Sequence, residues 1–534
     1  MTSQKEEQTM HQGMIVSSVV AFMKKVALVM VKMMIVSVIV VLATFYQIVL
    51  IIGEYLNEYC GDGSVNNCEI DDTSKVYNLV RKSSEEDSEL KKKRNILLLG
   101  GRAPVCLDYL RMFSEMGHSV HLVESPSYRP MFVANLSKYA KSVRYFSVYP
   151  NKKFKTFQKE LIEICKELKI DIVIPTCEEV FHVARAKVQV EKEANCFVCC
   201  EPLENLRELH NKYDFVEYIG NNEETLNENT KIRVKNPETI LINHSHLKDN
   251  TEMINFWKKC NGQVVLKPCY SRFASQTIVK PSYESYIDIV KSAKVSNDSS
   301  TWWVAQKFVD GQIVCSFGVA QRGKLLAHCT YLGGIHTPNG TPVGSTVYFE
   351  QISNDQIDTA LKSWISSVVS HRNFTGQISF DFIVTKKGQE LIIHPIECNP
   401  RATSGAHLFN TPHVNRAKFI QCFFPQQATS TSNEDNKAEH EILSPPFGTK
   451  SQLLGAMILT LFVGCSSMQL ISSWLADVLK CGIEKDALFK PNDPLPFFMQ
   501  AYFALDPIIK MWRFRVNLIS AMTFDIEWNG EDEE

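Results

Sequence analysis

The chain has 534 residues, enough for about two to four domains on length alone. Its 57 Lys and Arg against 59 Asp and Glu leave a formal net charge of −2, which gives no support to a nucleic-acid partner, since that calls for a basic patch. The hydrophobic share of 45% is ordinary for a globular chain, and the 16 cysteines show no paired CxxC or Cys/His ligand spacing, which argues against a disulfide framework.

From Met33 to Gly53 (MMIVSVIVVLATFYQIVLIIG) there is no charge. That is about 20 residues, the length of a helix that spans a bilayer core. The sequence therefore predicts an N-terminal segment, 1–56, with a transmembrane helix near 33–53, and a single-pass membrane protein. Lys24, Lys25 and Lys32 precede the span and acids from Glu54 to Asp72 follow it, which by the positive-inside rule puts the N-terminus in the cytoplasm. Five Asn-x-Ser/Thr tripeptides, at Asn135, Asn243, Asn297, Asn339 and Asn373, permit a lumenal body. Residues 57–93 are polar and charged and read as a linker.

Ordered sequence then begins abruptly. Asn95–Gly101 (NILLLGG) reads as a buried parallel strand, Val105–Met116 as a helix stopped by Gly117, and Ser119–Glu124 as a second strand. A helix around Phe157–Leu168 precedes a further strand, Asp171–Pro175. Strand–helix alternation predicts an α/β domain with a parallel sheet, a Rossmann-like unit over 94–202. Its first turn, Gly100-Gly101-Arg102-Ala103-Pro104, lacks G-x-G-x-x-G, which counts against a dinucleotide.

From 203 to 426 the texture is α+β. Helices are expected at Leu203–Tyr218, Tyr283–Ala293 and Asp355–Ser370. Strands are expected at Gln263–Lys267, Gln276–Val279, Trp303–Phe308, Ile313–Gln321, Lys324–Tyr331, Gly376–Thr385 and Glu390–Glu397. A polar linker, 427–443, leads to a mostly helical region, 444–534, whose apolar stretch Leu453–Val463 reads as a buried or membrane-lying helix. Asn529–Glu534 reads as a solvated acidic tail.

The chemistry concentrates in Gly376–Arg401 (GQISFDFIVTKKGQELIIHPIECNPR). Two alternating strands joined at Lys386-Lys387-Gly388 form a hairpin. Glu397 and Asn399, two apart, face one side, and Asp381 can join them across the hairpin. Two carboxylates and an amide oxygen suit Mg²⁺ that bridges phosphates. Arg401 adds a fixed fork for a phosphoryl oxygen.

Glu-Cys-Asn-Pro-Arg after Gly-x-x-x-x-Asp-Phe resembles the metal-binding hairpin of the ATP-grasp superfamily, which includes carbamoyl phosphate synthase large subunits, biotin carboxylases and D-alanine–D-alanine ligases. Three upstream pieces fall in that family's order: Asn211-Lys212-Tyr213, Val264–Ser271 (VVLKPCYS) with Lys267, and Trp303–Gly311 (WVAQKFVDG). The match spans about Asn95 to Phe409. The resemblance implies a Rossmann-like pre-ATP-grasp domain followed by a two-subdomain ATP-grasp fold, ATP and Mg²⁺ (or Mn²⁺) as cofactors, and a ligase that makes an acyl phosphate for attack by an amine or thiol. It implies ATP contacts from Lys212, Lys267, Ser271, Gln306, Lys307, Phe308, Val309 and Asp310, metal ligation by Asp381, Glu397 and Asn399, and a catalytic Arg401. Use of ATP favours the cytosolic side of a membrane, against the lumenal reading of the charges. For the carboxylate and amine substrates, Arg102, Glu178 and His407 are the candidates, with Ser404, Gly405 and the glycine-rich 333–344 stretch beside them.

Two departures stand out. The phosphate-covering loop, Ser271–Gln276, contains no glycine, with Arg272 as a candidate replacement for backbone amides. After the hinge, Gln312 and Ile313 stand where a ribose-binding glutamate is usual. They keep alive the rival of a membrane-tethered nucleotide-binding or scaffold protein without catalysis. Carbamoyl-phosphate-synthase-like chemistry is the other rival, against which a single ATP-grasp unit tells.

Overall fold

Alternation along the first strands assigns each residue to one of two cores. In the computed structural model, which describes residues 92–129, 131–242, 251–272, 276–292, 302–333, 348–388, 390–425, 441–453, 472, 486–516 and 520–530, the first element is β1 (Asn95–Leu99). Then come α1 (Pro104–Glu115), β2 (Ser119–Glu124), β3 (Ser142–Tyr145), α2 (Phe154–Glu167), β4 (Ile172–Pro175), α3 (Val180–Ala194) and β5 (Phe197–Val198). Ile96, Leu98, Val120, Leu122, Ile172 and Ile174 pack with the α1 residues Leu107, Leu110 and Phe113. Leu97, Leu99, Val123 and Val173 pack on the opposite face with Phe157 and Leu161 of α2 and Phe181 of α3. A parallel sheet covered on both faces needs this apolar run. The strand order is β3-β2-β1-β4-β5, so the order of the parallel strands switches sides between β1 and β4 and opens a crevice beyond their carboxyl ends.

The expected helix Leu203–Tyr218 is two helices, α4 (Leu203–His210) and α5 (Lys212–Asn221). Asn211 divides them: its extended backbone ends α4, and its side chain accepts from the Tyr213 and Asp214 amides as the cap of α5. α6 (Glu223–Asn227) and β6 (Arg233–Val234) follow. A four-stranded antiparallel sheet is built from β7 (Thr239–Ile242), β8 (Val264–Pro268), β9 (Ile278–Val279) and β10 (Trp303–Lys307), in the order β7-β10-β8-β9. α7 (Thr251–Lys259) and α8 (Tyr283–Ser292) lie between its strands in the chain, and Met253, Phe256 and Tyr286 from these helices join its apolar core.

A seven-stranded sheet, β16-β13-β12-β11-β14-β15-β6, forms the third layer. It contains β11 (Gln312–Gln321), β12 (Lys324–Gly333), β13 (Tyr348–Gln351), β14 (Gly376–Lys387), β15 (Glu390–Asn399) and β16 (Lys450–Gln452), with α9 (Asp355–His371) packing Trp364 against Phe380 and Phe382. β14 and β15 form the expected hairpin, with Lys387 opposite Glu390 and Gly388 at φ 64° in the turn. The described chain continues through α10 (Arg416–Gln421), α11 (Leu495–Phe498) and α12 (Gln500–Phe514). The protein is thus a mixed α/β fold with one parallel sheet and antiparallel sheets.

Two expectations need correction. Among the described residues no helix is long and apolar enough to cross a membrane, which overturns the single-pass membrane assignment as far as the structure reaches. The 33–53 stretch and most of 453–470 lie outside the described residues, as do the linkers 57–91 and 426–440. The other concerns the tail. Asn529 and Gly530 are half-buried, at the end of a segment, 520–530, that docks on the parallel sheet with Trp528 5% exposed and Asp525 fully buried; 531–534 lie outside the described residues. A charge count at a terminus does not register an aromatic anchor inside it.

Candidate active site

The β14–β15 hairpin fixes the acidic centre by register. Asp381 lies directly opposite Glu397 and Ser379 opposite Asn399, with a bulge between Asp381 and Phe382 that re-aims the strand beside the two acids. Asn399 approaches Asp381 at 3.4 Å between Nδ2 and Oδ2. On its other side Asp381 pairs with Cys315 of β11. Burial first, and then the facing Glu397, push the Asp381 carboxyl up to about 6. Two acids set opposite one another in a strand pair repel, so this arrangement is costly without a cation.

Two lysines reach this centre from different elements. Lys212 is the first residue of α5, placed there by the Asn211 cap, and its amide donates to the Cys269 carbonyl just after β8. Its Nζ lies 3.6 Å from Glu397 Oε1 and donates to the Ser271 carbonyl at 3.0 Å. Lys267, on β8, is buried, and its Nζ donates to Gln306 Oε1 at 3.0 Å across the β8–β10 pair. Gln306 in turn donates to Thr239 Oγ1 at 3.0 Å. Burial brings the Lys267 ammonium down to about 8 against the pull of Glu397 and Asp381. Among the described residues Gln306 is its one hydrogen-bond acceptor, and an amine so placed suits an anion.

The hinge differs in detail from expectation. The Lys307 amide donates to the Glu238 carbonyl at 2.8 Å and the Phe308 amide to the Gln263 carbonyl at 2.9 Å, so neither N–H is available to a base. The Val309 amide has no partner among the described residues and is the remaining donor on this edge. The Lys307 and Asp310 side chains are exposed. Ser271 Oγ turns back toward the Pro268 carbonyl at 3.4 Å.

Of the three acceptor candidates, Glu178 alone touches the centre. Its Oε1 lies 2.8 Å from Arg401 Nε and its Oε2 3.4 Å from Arg272 Nε, all three side chains being nearly or fully buried. Burial alone would raise this carboxyl; Arg401 and then Arg272 bring it down to about 2. Arg401 also donates to Asn399 Oδ1 at 3.3 Å, which ties the pair of arginines to the hairpin. Arg102 and His407 do not face the centre. Arg102 is engaged by Glu124 and Asp525, each at 2.6 Å. His407 is a packed histidine, its Nδ1 2.6 Å from Asp108 Oδ2 and its ring stacked on Phe349. Ser404 and Gly405 form a 3-10 turn with it, Gly405 pressed against Phe317 and Tyr331. Residues 334–344 lie outside the described residues.

Sequence reasoning missed two features. Cys315 enters by strand pairing, which no local motif announces. The C-terminal Glu527 and Trp528 enter by tertiary docking, since Arg272 donates to Glu527 Oε2 at 2.9 Å and to the Trp528 carbonyl at 2.8 Å.

The residues present fit a hard divalent cation. Among the described residues no group of three His, Cys, Asp or Glu converges, but Asp381, Glu397 and the Asn399 amide are oxygen donors that would suit such a cation. Asn399 Oδ1 now accepts from Arg401, so a rotated amide is needed for it to ligate.

In fold the chain is similar to several solved enzymes. No sequence-family profile matches it, and no curated protein matches it in sequence. Solved structures do. The biotin carboxylase domain dimer of Hydrogenobacter thermophilus 2-oxoglutarate carboxylase, in complex with MgADP, ADP and bicarbonate, is 14% identical, with a TM-score of 0.46 over 63% of this chain and 71% of that one. Carboxyaminoimidazole ribonucleotide synthase from Aspergillus clavatus, complexed with ATP, is 12% identical, with a TM-score of 0.44 over 67% and 80%. An L-amino acid ligase from Bacillus licheniformis is 13% identical, with a TM-score of 0.45 over 65% and 78%. Similarity at this level is too low to carry site roles, which rest on the motifs and on the geometry above.

Proposed function

We propose that the chain is an ATP- and Mg²⁺-dependent ligase of the ATP-grasp type, which phosphorylates a carboxylate and couples the product to an amine or a thiol. One observation carries this reading: Lys212 from a helix start, Lys267 from a four-stranded sheet, and Asp381 and Glu397 from a separate hairpin converge on one locus. Nothing in packing requires two ammonium groups and two carboxylates to meet there, and a Mg-nucleotide is the ligand that matches both signs.

In this mechanism the Val309 amide and the Lys307 carbonyl hold adenine at the edge of β10, and Gln306 orients Lys267. Lys267 and Lys212 neutralise the α- and β-phosphates, which positions the γ-phosphorus for in-line attack by a carboxylate oxygen of the substrate. Asp381, Glu397 and Asn399 would hold Mg²⁺, which would supply charge neutralisation at the phosphates. The bond from the γ-phosphorus to ADP breaks as the acyl–oxygen–phosphorus bond forms, and Arg401 stabilises charge on the equatorial oxygens. An amine nitrogen then attacks the acyl carbon, phosphate leaves, and the nitrogen loses a proton.

A phosphate-release screen of amino acids and small acids with ATP tests the reading. ADP and phosphate are the expected products, and AMP with pyrophosphate excludes the scheme. A second reading, a nucleotide-binding protein without turnover, is favoured by one observation: Arg272, the candidate for the missing loop glycines, is held by Glu178, Glu527, the Trp528 carbonyl and Asn529. Mg–ATP binding without turnover on any acid would favour it.

A further inference from the structure

The crevice at the carboxyl ends of the parallel strands, where an open α/β sheet takes its ligands, is filled by the chain's own residues 522–530. The contacts come from successive strand ends: Arg102 after β1, Ser127 and Tyr128 after β2, Asn151 beyond β3, and His182 in the first turn of α3 after β4. Their pattern is that of a bound peptide. The segment adds no strand to the sheet; instead its carbonyls are read singly by side chains. Arg102 and Tyr128 each donate to the Met522 carbonyl at 3.1 Å, Asn151 to Phe524 at 2.8 Å, and Arg272 to Trp528 at 2.8 Å, while His182 Nε2 lies 3.1 Å from the Ile526 carbonyl.

Side chains of the segment fill dedicated positions as well. Asp525 is buried against Arg102, which contacts both of its oxygens at 2.6 and 2.9 Å, and it accepts from Ser127. Trp528 stacks on Phe181 at 5.2 Å between centroids, meets Tyr270 edge-on at 5.4 Å, and lies under the Arg207 guanidinium. Glu527 pairs with Arg272. Gly530, at φ 88°, lets the chain pass flush against the Tyr270 ring, where any Cβ would clash. Aromatic anchor, buried acid and singly read carbonyls are the elements of peptide recognition.

We propose that this crevice is a binding site for an acidic peptide with an aromatic residue three positions after a buried aspartate, and that residues 522–530 occupy it in the resting chain as an intramolecular ligand. The occupant also engages Arg272 of the phosphate-covering loop through Glu527, the Trp528 carbonyl and Asn529, so release of the segment opens the crevice and leaves that guanidinium with Glu178 alone among these partners. The inference deepens the ligase reading, on which it rests only for the statement that the acceptor enters here; the acceptor class is then a peptide.

A labelled synthetic peptide, SAMTFDIEWNG (residues 520–530), tests it on the full chain. A chain carrying Asp525→Ala and Trp528→Ala is expected to bind the peptide at least about tenfold more tightly than the unmodified chain, because a site occupied in cis has a reduced apparent affinity. Adding Arg102→Ala to that variant should return the affinity to the starting level. Equal affinity in the unmodified and doubly substituted chains overturns the proposal. Hydrogen exchange on the unmodified chain is independent of whether the variant folds: the amides of Phe524, Ile526 and Glu527 should exchange much faster than those of β1 and β4. Exchange at one common rate identifies a permanent part of the core and overturns the proposal. Peptide binding with no Mg–ATP binding leaves this inference standing and removes the ligase; Mg–ATP binding with no peptide binding does the reverse.

Discussion

The two places where buried charge gathers are solved in opposite ways. At the carboxyl edge of the parallel sheet every guanidinium lies against an acid: Arg102 has Glu124 and Asp525, and Arg272 and Arg401 share Glu178, with Glu527 also on Arg272. Asp525 and Glu178 there are driven down, Glu178 to about 2 once its arginines outweigh the cost of burial. At the hairpin the charges stay in conflict. Asp381 is raised to about 6 by burial and by Glu397, and Lys267 is lowered to about 8 by burial. Paired charge is met from within the chain, as Asp525 meets Arg102 in the resting state, whereas the unresolved charge at the hairpin calls for a cation from outside. Substitutions should therefore separate the regions, with function lost at one and stability at the other.

The largest effect is expected at the hairpin. Asp381→Asn or Glu397→Gln should lower metal-dependent phosphate release by about 10³-fold or more, about 4 kcal/mol of transition-state stabilisation. The same variants should melt no lower than the parent, since each removes one of two facing acids; a drop in melting temperature would place the pair with the structural charges. Glu178→Gln should behave in reverse. It leaves two buried guanidiniums without their shared acid and should cost about 3 kcal/mol or more in a urea titration. Because the folded Glu178 value lies below the ordinary 4.5, its contribution is whole above about pH 4.5 and is lost as pH falls through about 2. Urea midpoints between pH 6 and pH 3 should therefore fall more steeply for the parent than for Glu178→Gln; parallel curves would break the assignment. The smallest effect is at Lys307→Ala. This side chain is exposed and only its backbone is placed at the hinge, so nucleotide affinity should stay within about threefold and stability within about 0.5 kcal/mol.

Much of the centre was legible before the fold was seen, for reasons that differ by residue. Asp381, Glu397 and Asn399 are brought together by a hairpin with a short glycine turn, and period-two alternation then sets their common face. Lys212 was legible as a residue, but its placement depended on Asn211 ending one helix and capping the next, where the periodic apolar pattern had suggested one continuous helix. Arg102 was nominated for a ligand by position alone, at the end of a central strand, and that position does not reveal what meets it in the resting chain. The structure gives it two acids, one of them 423 residues away in sequence. His407 was open between a packed and a reactive role, and Asp108 on α1 with the Phe349 ring decides for packing.

By itself the sequence determined the elements whose causes are local: the apolar parallel strands, the hairpin with its oxygen cluster, and the lysine- and hinge-bearing strands in their order. Tertiary structure alone decided which charges neutralise one another, which hinge amides remain open, and where residues 520–530 lie. The physical reason is range. Backbone periodicity, capping and turn geometry act over a few residues, whereas Coulomb pairing and burial depend on distances in space, which bring Asp525 to Arg102 and Trp528 to Phe181 with no trace in either neighbourhood.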